Sequence, residues 1–476
     1  MFHFSFRHLS RRAPAILVAV CATLSLFPGV RADDTIAEKN PPSFTNDKTG
    51  ETLASLPEML NNKNYDGALQ VLNALLPNVD ASSYDMAVID DTIAKVYFQG
   101  KDNPAKSIEY WEKMWALLKR HPDYMEGKDL VDHYEFTAQA YFMVATALKS
   151  GDARQGPLFD KSIEYMKKWL AATPKPKPQE RLFVTELYYY KALNGGSDKP
   201  DAEAMKETKI QAEEALVTEV RPREIYYQIL FQIAQQQSDY LAAAKYLEWL
   251  VQIHPSSKDY WQQLMAVYNN LAGASEKDPR QQRVYYARAI NSMERAQALG
   301  FSNLPKDNFN LVTLYNQVGQ FAKAADIMHG GLKDGKIEDT RKNWEILSYF
   351  YRLMGRDLQA AEILKEAAAL DKYSASGELY REIAEIYMSQ DDTEHAYEFS
   401  KKAVEKGNFE AKPYLSYQYL AYSAYQLGKY DEALQACTKA LELPGAPQDL
   451  AKLKEGIEQA IKQRDQEKAM IKAQLK

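Results

Sequence analysis

The chain has 476 residues, a formal charge of −6, and 46% hydrophobic and 12% aromatic residues, 32 of them tyrosines. That apolar fraction is enough to bury a continuous core, which excludes disorder for the body of the chain. The acidic balance makes it a poor ligand for nucleic acid or an anionic membrane, since both need clustered Lys and Arg.

Residues 1–32 carry the marks of an export signal. Arg7, Arg11 and Arg12 form a basic start, residues 13–27 an apolar run, and Val30-Arg31-Ala32 a cleavage site with the cut expected after Ala32. The run is about 15 residues, short of the roughly 20 that a membrane-spanning helix needs. Two weaker patterns overlap it. Ser10-Arg11-Arg12 is an incomplete twin-arginine signal, and Val18 to Cys21 is a lipoprotein box with valine where a small residue should precede the cysteine, the alternative in which Cys21 anchors the chain. Cleavage removes four arginines and no acid, taking the formal charge from −6 to −10 and leaving Cys437 as the lone thiol.

Residues 33–50 are polar and broken by Pro41-Pro42, which predicts a flexible tether. Divergent helical repeats are expected over 51–222, with second helices starting at Tyr65, Pro104 and Pro157 and a weak pair split by Asn194-Gly195-Gly196. Residues 118–156 read as extensions of the neighbouring helices plus a loop. More regular repeats follow over 223–446. In one of them the second helix is expected to start late, because the residues after Leu271 add about a dozen positions. The segment 447–476 reads as a capping helix that packs to about Ile461, with a fraying charged tail.

The regular part has a beat. Ala289, Ala324, Ala360, Ala396 and Ala433 recur at 35 to 37 positions, each followed four residues on by a medium-sized residue and seven on by a small one. Both spacings fall on one helix face. The segment 414–445 places Leu420, Ala421, Gly428, Tyr430, Ala433 and Ala440 in a pattern that resembles the tetratricopeptide repeat. The resemblance implies an all-α superhelix, an α-solenoid of about ten helix pairs plus a C-terminal capping helix, read as one elongated body. Small residues in such a pair let two helices approach to about 8–10 Å.

Catalytic chemistry is absent from the pattern. Beyond the signal only His121, His133, His254, His329 and His395 remain, none at metal or nucleophile spacing, and there is no glycine-rich phosphate loop, CxxC or HExxH. We therefore expect no enzyme activity, no metal and no cofactor.

The repeat pattern implies a concave groove lined by the first helix of each pair. Its offsets fall on Gln228, Gln232, Gln235, Gln236, Gln262, Asn269, Asn270, Asn316 and Gln317, then on Tyr349, Arg352, Arg381, Glu385, Tyr422 and Tyr425. Amides there either bond an extended peptide or are ordinary solvated surface, whereas Tyr and Arg are frequent interface anchors. The Lys and Asn of a carboxylate clamp are missing, since the clamp positions read Gln228 and Gln232, Gln262 and Ala266, Phe309 and Thr313, Glu345 and Tyr349.

Residues 243–273 and 310–355, with the linker of 331–344 reading GLKDGKIEDTRKNW, are similar to the periplasmic repeat proteins that accompany bacterial TonB, ExbB and ExbD. The similarity covers about 224–451. It implies a periplasmic, non-enzymatic accessory of TonB-dependent outer-membrane transport that binds TonB, ExbB or ExbD components, and meets membranes only through partners. The alternative is an envelope assembly or secretion scaffold unrelated to TonB. A third reading is an enzyme regulator whose groove holds a small ligand.

Overall fold

The computed structural model describes residues 42–149, 151–194, 196, 200–373 and 375–474, and among them there are 21 α-helices and no strand. The expected export signal with Cys21, and residues 33–41 of the expected tether, lie outside the described residues. None of the described helices is long and apolar enough to cross a membrane. The chain divides into two compact units, up to Gln237 and from Ser238 onward.

The first unit contains α1 (Asp47–Asn61), α2 (Tyr65–Leu75), α3 (Tyr84–Lys95), α4 (Pro104–Leu118), α5 (Gly127–Ala147), α6 (Gln155–Ala172), α7 (Pro178–Leu193), α8 (Ala202–Thr218) and α9 (Glu224–Gln236). Starts follow capping chemistry. Asn64, Ser83, Asn103 and Asp201 each accept a backbone N–H of the first turn with their side chains, and Pro occupies the first turn of α4 and α7. Helix α1 begins at Asp47, so the last four residues of the expected tether are helical, held by the Asn46 cap and by Thr45 and Asn46 N–H bonds to the buried Asp85.

Residues 118–156 contain a separate 21-residue helix, α5, rather than extensions of its neighbours. Its inner face carries His133 and Thr137 beside Ala138, Tyr141, Phe142 and Ala145, so two polar residues interrupt the apolar stripe a sequence reader looks for. His133 is tolerated there because its Nε2 meets the buried Asp91 carboxylate at 2.7 Å, while Trp111 donates to the same oxygen at 3.1 Å. The boundary between units falls after α9 because Ile229 and Ile233 pack into one core with Val184, Leu187, Ala204 and Met205 of α7 and α8.

The second unit contains α10 (Tyr240–Ile253), α11 (Lys258–Ala274), α12 (Pro279–Ala298), α13 (Pro305–Gln317), α14 (Phe321–Lys333), α15 (Arg341–Leu353), α16 (Asp357–Ala368), α17 (Gly377–Ser389), α18 (Thr393–Lys406), α19 (Tyr414–Gln426), α20 (Tyr430–Leu441) and α21 (Asp449–Gln474). Within the units, α1 to α8 and α11 to α20 pack in chain order as nine helix pairs, repeats of the α-solenoid, tetratricopeptide type, and α21 follows the last pair; α9 and α10 belong to different units. The alanine beat is the inner face of α12, α14, α16, α18 and α20: Ala289, Ala324, Ala360, Ala396 and Ala433 are all fully buried. Gly331 takes the small position in α14, where an added Cβ would meet the Ile337 side chain at 2.6 Å. Gly319, Gly355 and Gly428 supply the positive φ of 69 to 73° in the turns before α14, α16 and α20.

The insertion after Leu271 delays the second helix, as expected: α12 starts at Pro279, 21 residues after α11 at Lys258, whereas α14 at Phe321 starts 16 after α13 at Pro305. It lengthens both helices of its own pair, to 17 residues in α11 and 20 in α12, because Asp278 caps α12 by accepting from the Arg280 and Gln281 N–H groups. Helix α21 buries Leu450 and Ile457 against the last pair, with Leu453 and Ile461 partly buried beside them. It stays helical to Gln474, and Arg464 reaches back to Asp431 at 2.6 Å.

Candidate functional site

Helix α15 is strongly two-faced. Trp344, Leu347, Ser348 and Phe350 point into the core, and the Ser348 hydroxyl donates to the Ala360 carbonyl at 3.1 Å, a contact that seats α15 against α16. Its other face leaves Tyr349 55% exposed, with Arg352 and Leu353 beside it. The next first helix, α17, begins at Gly377, where a Cβ would lie 2.5 Å from the carbonyl oxygens of Ala403 and Gly407. Only glycine allows that approach, and its N–H donates to Gly407 at 2.8 Å.

One turn on from Gly377 lies a charge network. Glu378, almost wholly buried, accepts the backbone N–H groups of Glu410 at 2.8 Å and Ala411 at 3.3 Å with one oxygen, and holds the Arg381 guanidinium with the other. Arg341 on α15 joins Glu345 at 2.7 Å and also reaches Glu410. Glu382 lies 3.9 Å from Arg381, and Glu385 lies 3.8 Å from Arg352. Burial, followed by the Glu345 charge, pushes the Glu382 carboxyl up to about 7, and burial also raises that of Glu345. Tyr419 on α19 approaches Glu385, and its hydroxyl is pushed up to about 12 by burial and then by that carboxylate.

Between these groups is a cleft of about 290 Å³, lined by Glu345, Tyr349, Arg352, Arg381, Glu382 and Glu385 among others. Four of the residues predicted for the groove, Tyr349, Arg352, Arg381 and Glu385, therefore come together. Others lie apart from it. Tyr422 is 44% exposed on α19, and Tyr425 packs against Tyr430 of α20 with ring centroids 5.7 Å apart, a contact inside the last pair. Gln262 is half-buried and donates to Ser302 at 3.3 Å; Asn269 is exposed at the far end of α11, and Asn316 is half-buried on α13. In the first unit Gln228 donates to Glu224 at 2.9 Å on its own helix, and Gln232 and Gln235 are exposed.

Glu345 and Glu382 were not among the predicted groove residues. The signal was present, since Glu378, Glu382 and Glu385 stand four and three residues apart, which puts them on one face of α17. Among the described residues no group of His, Cys, Asp and Glu could hold a metal ion.

No protein-family model and no curated protein matches the chain. Solved structures do match. A crystal structure of MamA is 18% identical over 37% of this chain and 90% of its own, with a TM-score of 0.27. The P58(IPK) TPR domain is 14% identical over 87% of this chain and 99% of its own, with a TM-score of 0.22. PilF of Pseudomonas aeruginosa is 16% identical over 52% of this chain and 99% of its own, with a TM-score of 0.27. Superpositions that loose carry no argument about the site, and the assignment of fold rests on the helix pairs themselves.

Proposed function

We propose that this chain is a non-enzymatic protein-interaction scaffold that docks a partner on the first-helix face around Tyr349. The observation that carries the reading is the placing of Tyr349, more than half exposed, at the rim of a cleft that also holds Arg352 and Arg381. Tyr and Arg are the side chains most often found at the energetic centre of protein interfaces. An exposed aromatic ring beside a cleft offers a partner a large area at little cost in conformational entropy.

At the finer level, we propose a periplasmic accessory of the TonB, ExbB and ExbD machinery serving outer-membrane transporters, delivered by the signal read in residues 1–32. Support comes from the sequence of the linker at 331–344, GLKDGKIEDTRKNW, which resembles that of the periplasmic repeat proteins that accompany TonB, ExbB and ExbD. The test is co-purification of the tagged full chain with TonB, ExbB and ExbD after co-expression. Recovery that is lost in the double change Tyr349→Ala with Tyr422→Ala, and kept in Lys401→Ala with Lys402→Ala, supports the reading. No recovery of any of the three from cells in which all are present contradicts the TonB assignment.

A further inference from the structure

The cleft between α15 and α17 has more acceptor capacity than its own cations use. Of its three carboxylates only Glu345 has a close cation, Arg341 at 2.7 Å. The nearest cations to Glu382 and Glu385 stand at 3.9 and 3.8 Å, beyond hydrogen-bond distance. Arg381 cannot swing to meet them, because its Nη2 is committed to the more deeply buried Glu378. The buried Nε of the same guanidinium has no hydrogen-bond partner at all. Arg352 is shared at 3.8 Å between Glu385 and Asp357 and stays 40% exposed. Two carboxylates without a close cation, Glu382 and Glu385, the second approached by the Tyr419 hydroxyl, and an open tyrosine ring thus line one space.

We propose that this cleft receives an arginine side chain from an extended segment of a protein partner, its guanidinium set between Glu382 and Glu385 beside Tyr349. The inference rests on the docking role proposed above and names the chemistry of the partner. A guanidinium suits the site because its planar fork of donors can serve two carboxylates and stack on an aromatic ring.

The charged and titratable groups around Glu382 are Arg341, Glu345 and Arg352 from α15, Glu378, Arg381 and Glu385 from α17, and Glu410 and Tyr419 from the segment beyond α18. From α16 and α18, which also pack on α17, Lys365 and His395 gather round Tyr387 instead. The Glu382 carboxyl, pushed up to about 7 by burial, loses its charge on mild acidification while the ligand arginine keeps its own. Binding should therefore weaken at low pH.

The experiment measures fluorescence anisotropy of three labelled peptides of equal length on the full chain: one arginine-bearing, one with citrulline in place of arginine, and one with glutamate. The expected result is binding of the arginine peptide alone, roughly tenfold weaker at pH 5 than at pH 8. Glu382→Gln with Glu385→Gln should remove it, while Glu394→Gln with Glu405→Gln on α18 should not, although both pairs lower the net negative charge equally. Glu385→Gln alone, at a 41% exposed position, gives the same direction without burdening the fold. Equal binding of the arginine and citrulline peptides, or unchanged binding in the Glu382/Glu385 variant, overturns the proposal. If the peptides fail in this way while the tyrosine double change still abolishes co-purification, only the arginine inference falls. If co-purification also survives that change, the docking role falls with it.

Discussion

Glu378 accepts a hydrogen bond from the backbone N–H of Glu410 at 2.8 Å, a contact between residues 32 positions apart that ties the start of α17 to the segment leading into α19. The same carboxylate neutralises Arg381, so one side chain fixes both the stacking of consecutive repeats and the position of a cleft residue.

Replacing Glu378 by alanine should therefore be severe. It leaves the Arg381 guanidinium, only 13% exposed, without its counter-charge, and frees two backbone donors. Breaking one side of a buried pair costs about 3–5 kcal/mol. Thermal and urea denaturation of the variant should show that loss; a melting curve equal to wild type would mean the network carries no structural weight.

The raised carboxyl of Glu382 makes a prediction of opposite sign. Its folded value of about 7 lies above the ordinary 4.5, so its contribution is full below about pH 4.5 and is lost as the pH rises through 7. Glu382→Gln should then be more stable than wild type at pH 8, by about 1–3 kcal/mol, and equal to it near pH 4.5. Denaturation midpoints at the two pH values check this, and a variant less stable at pH 8 would refute it. Stabilisation together with lost peptide binding would mark Glu382 as a residue kept for recognition at a cost in stability.

Asp91 in the first unit behaves the other way. Burial alone would raise its carboxyl, but the His133 imidazole and then the Lys95 ammonium outweigh burial and hold it well below the usual range. Its contribution is present above about pH 4 and is lost as the pH falls further. Asp91→Asn should cost about 3–5 kcal/mol at pH 7, with the gap to wild type narrowing toward pH 2. A constant gap across that range would exclude the ionised pair as its source.

Cys437 is fully buried and its Sγ lies 3.3 Å from the Leu450 carbonyl of α21. Burial raises the thiol's pKa and outweighs the opposing charge of Lys454. Labelling by a thiol reagent should be slow in the native protein and fast in denaturant. Removing residues 449–476 should make it fast without denaturant, and a native rate already equal to the denatured one would show that α21 does not cover this face.

What could be read from the sequence follows from how local each signal is. The alanine beat from Ala289 to Ala433 predicted the inner faces of the second helices correctly, because close packing there demands a small residue at a fixed period. Helix α5 was hidden because its core positions include His133, whose acceptability depends on Asp91, 42 residues away. The late start of the second helix after Leu271 was legible from the added length, whereas the share of that length taken up as helix depends on the Asp278 cap of α12. In the cleft, Tyr349, Arg352, Arg381 and Glu385 were found from their offsets, whereas Glu382 acquires its character only from burial beside Glu345. Tyr425 shares the offset pattern yet turns into the α19–α20 contact, which periodicity cannot distinguish from a groove position.

The central claim, that a protein partner sits on the face around Tyr349, is tested most directly by photo-crosslinking in living cells. A benzophenone amino acid would be placed at position 349 in one strain and at position 402, on the outer face of α18, in another. The account predicts a discrete crosslinked protein from position 349, absent from position 402 and lost when Glu382 and Glu385 are both changed to glutamine. A crosslink from position 402 alone, or none from position 349 in a protein that remains folded, would contradict it.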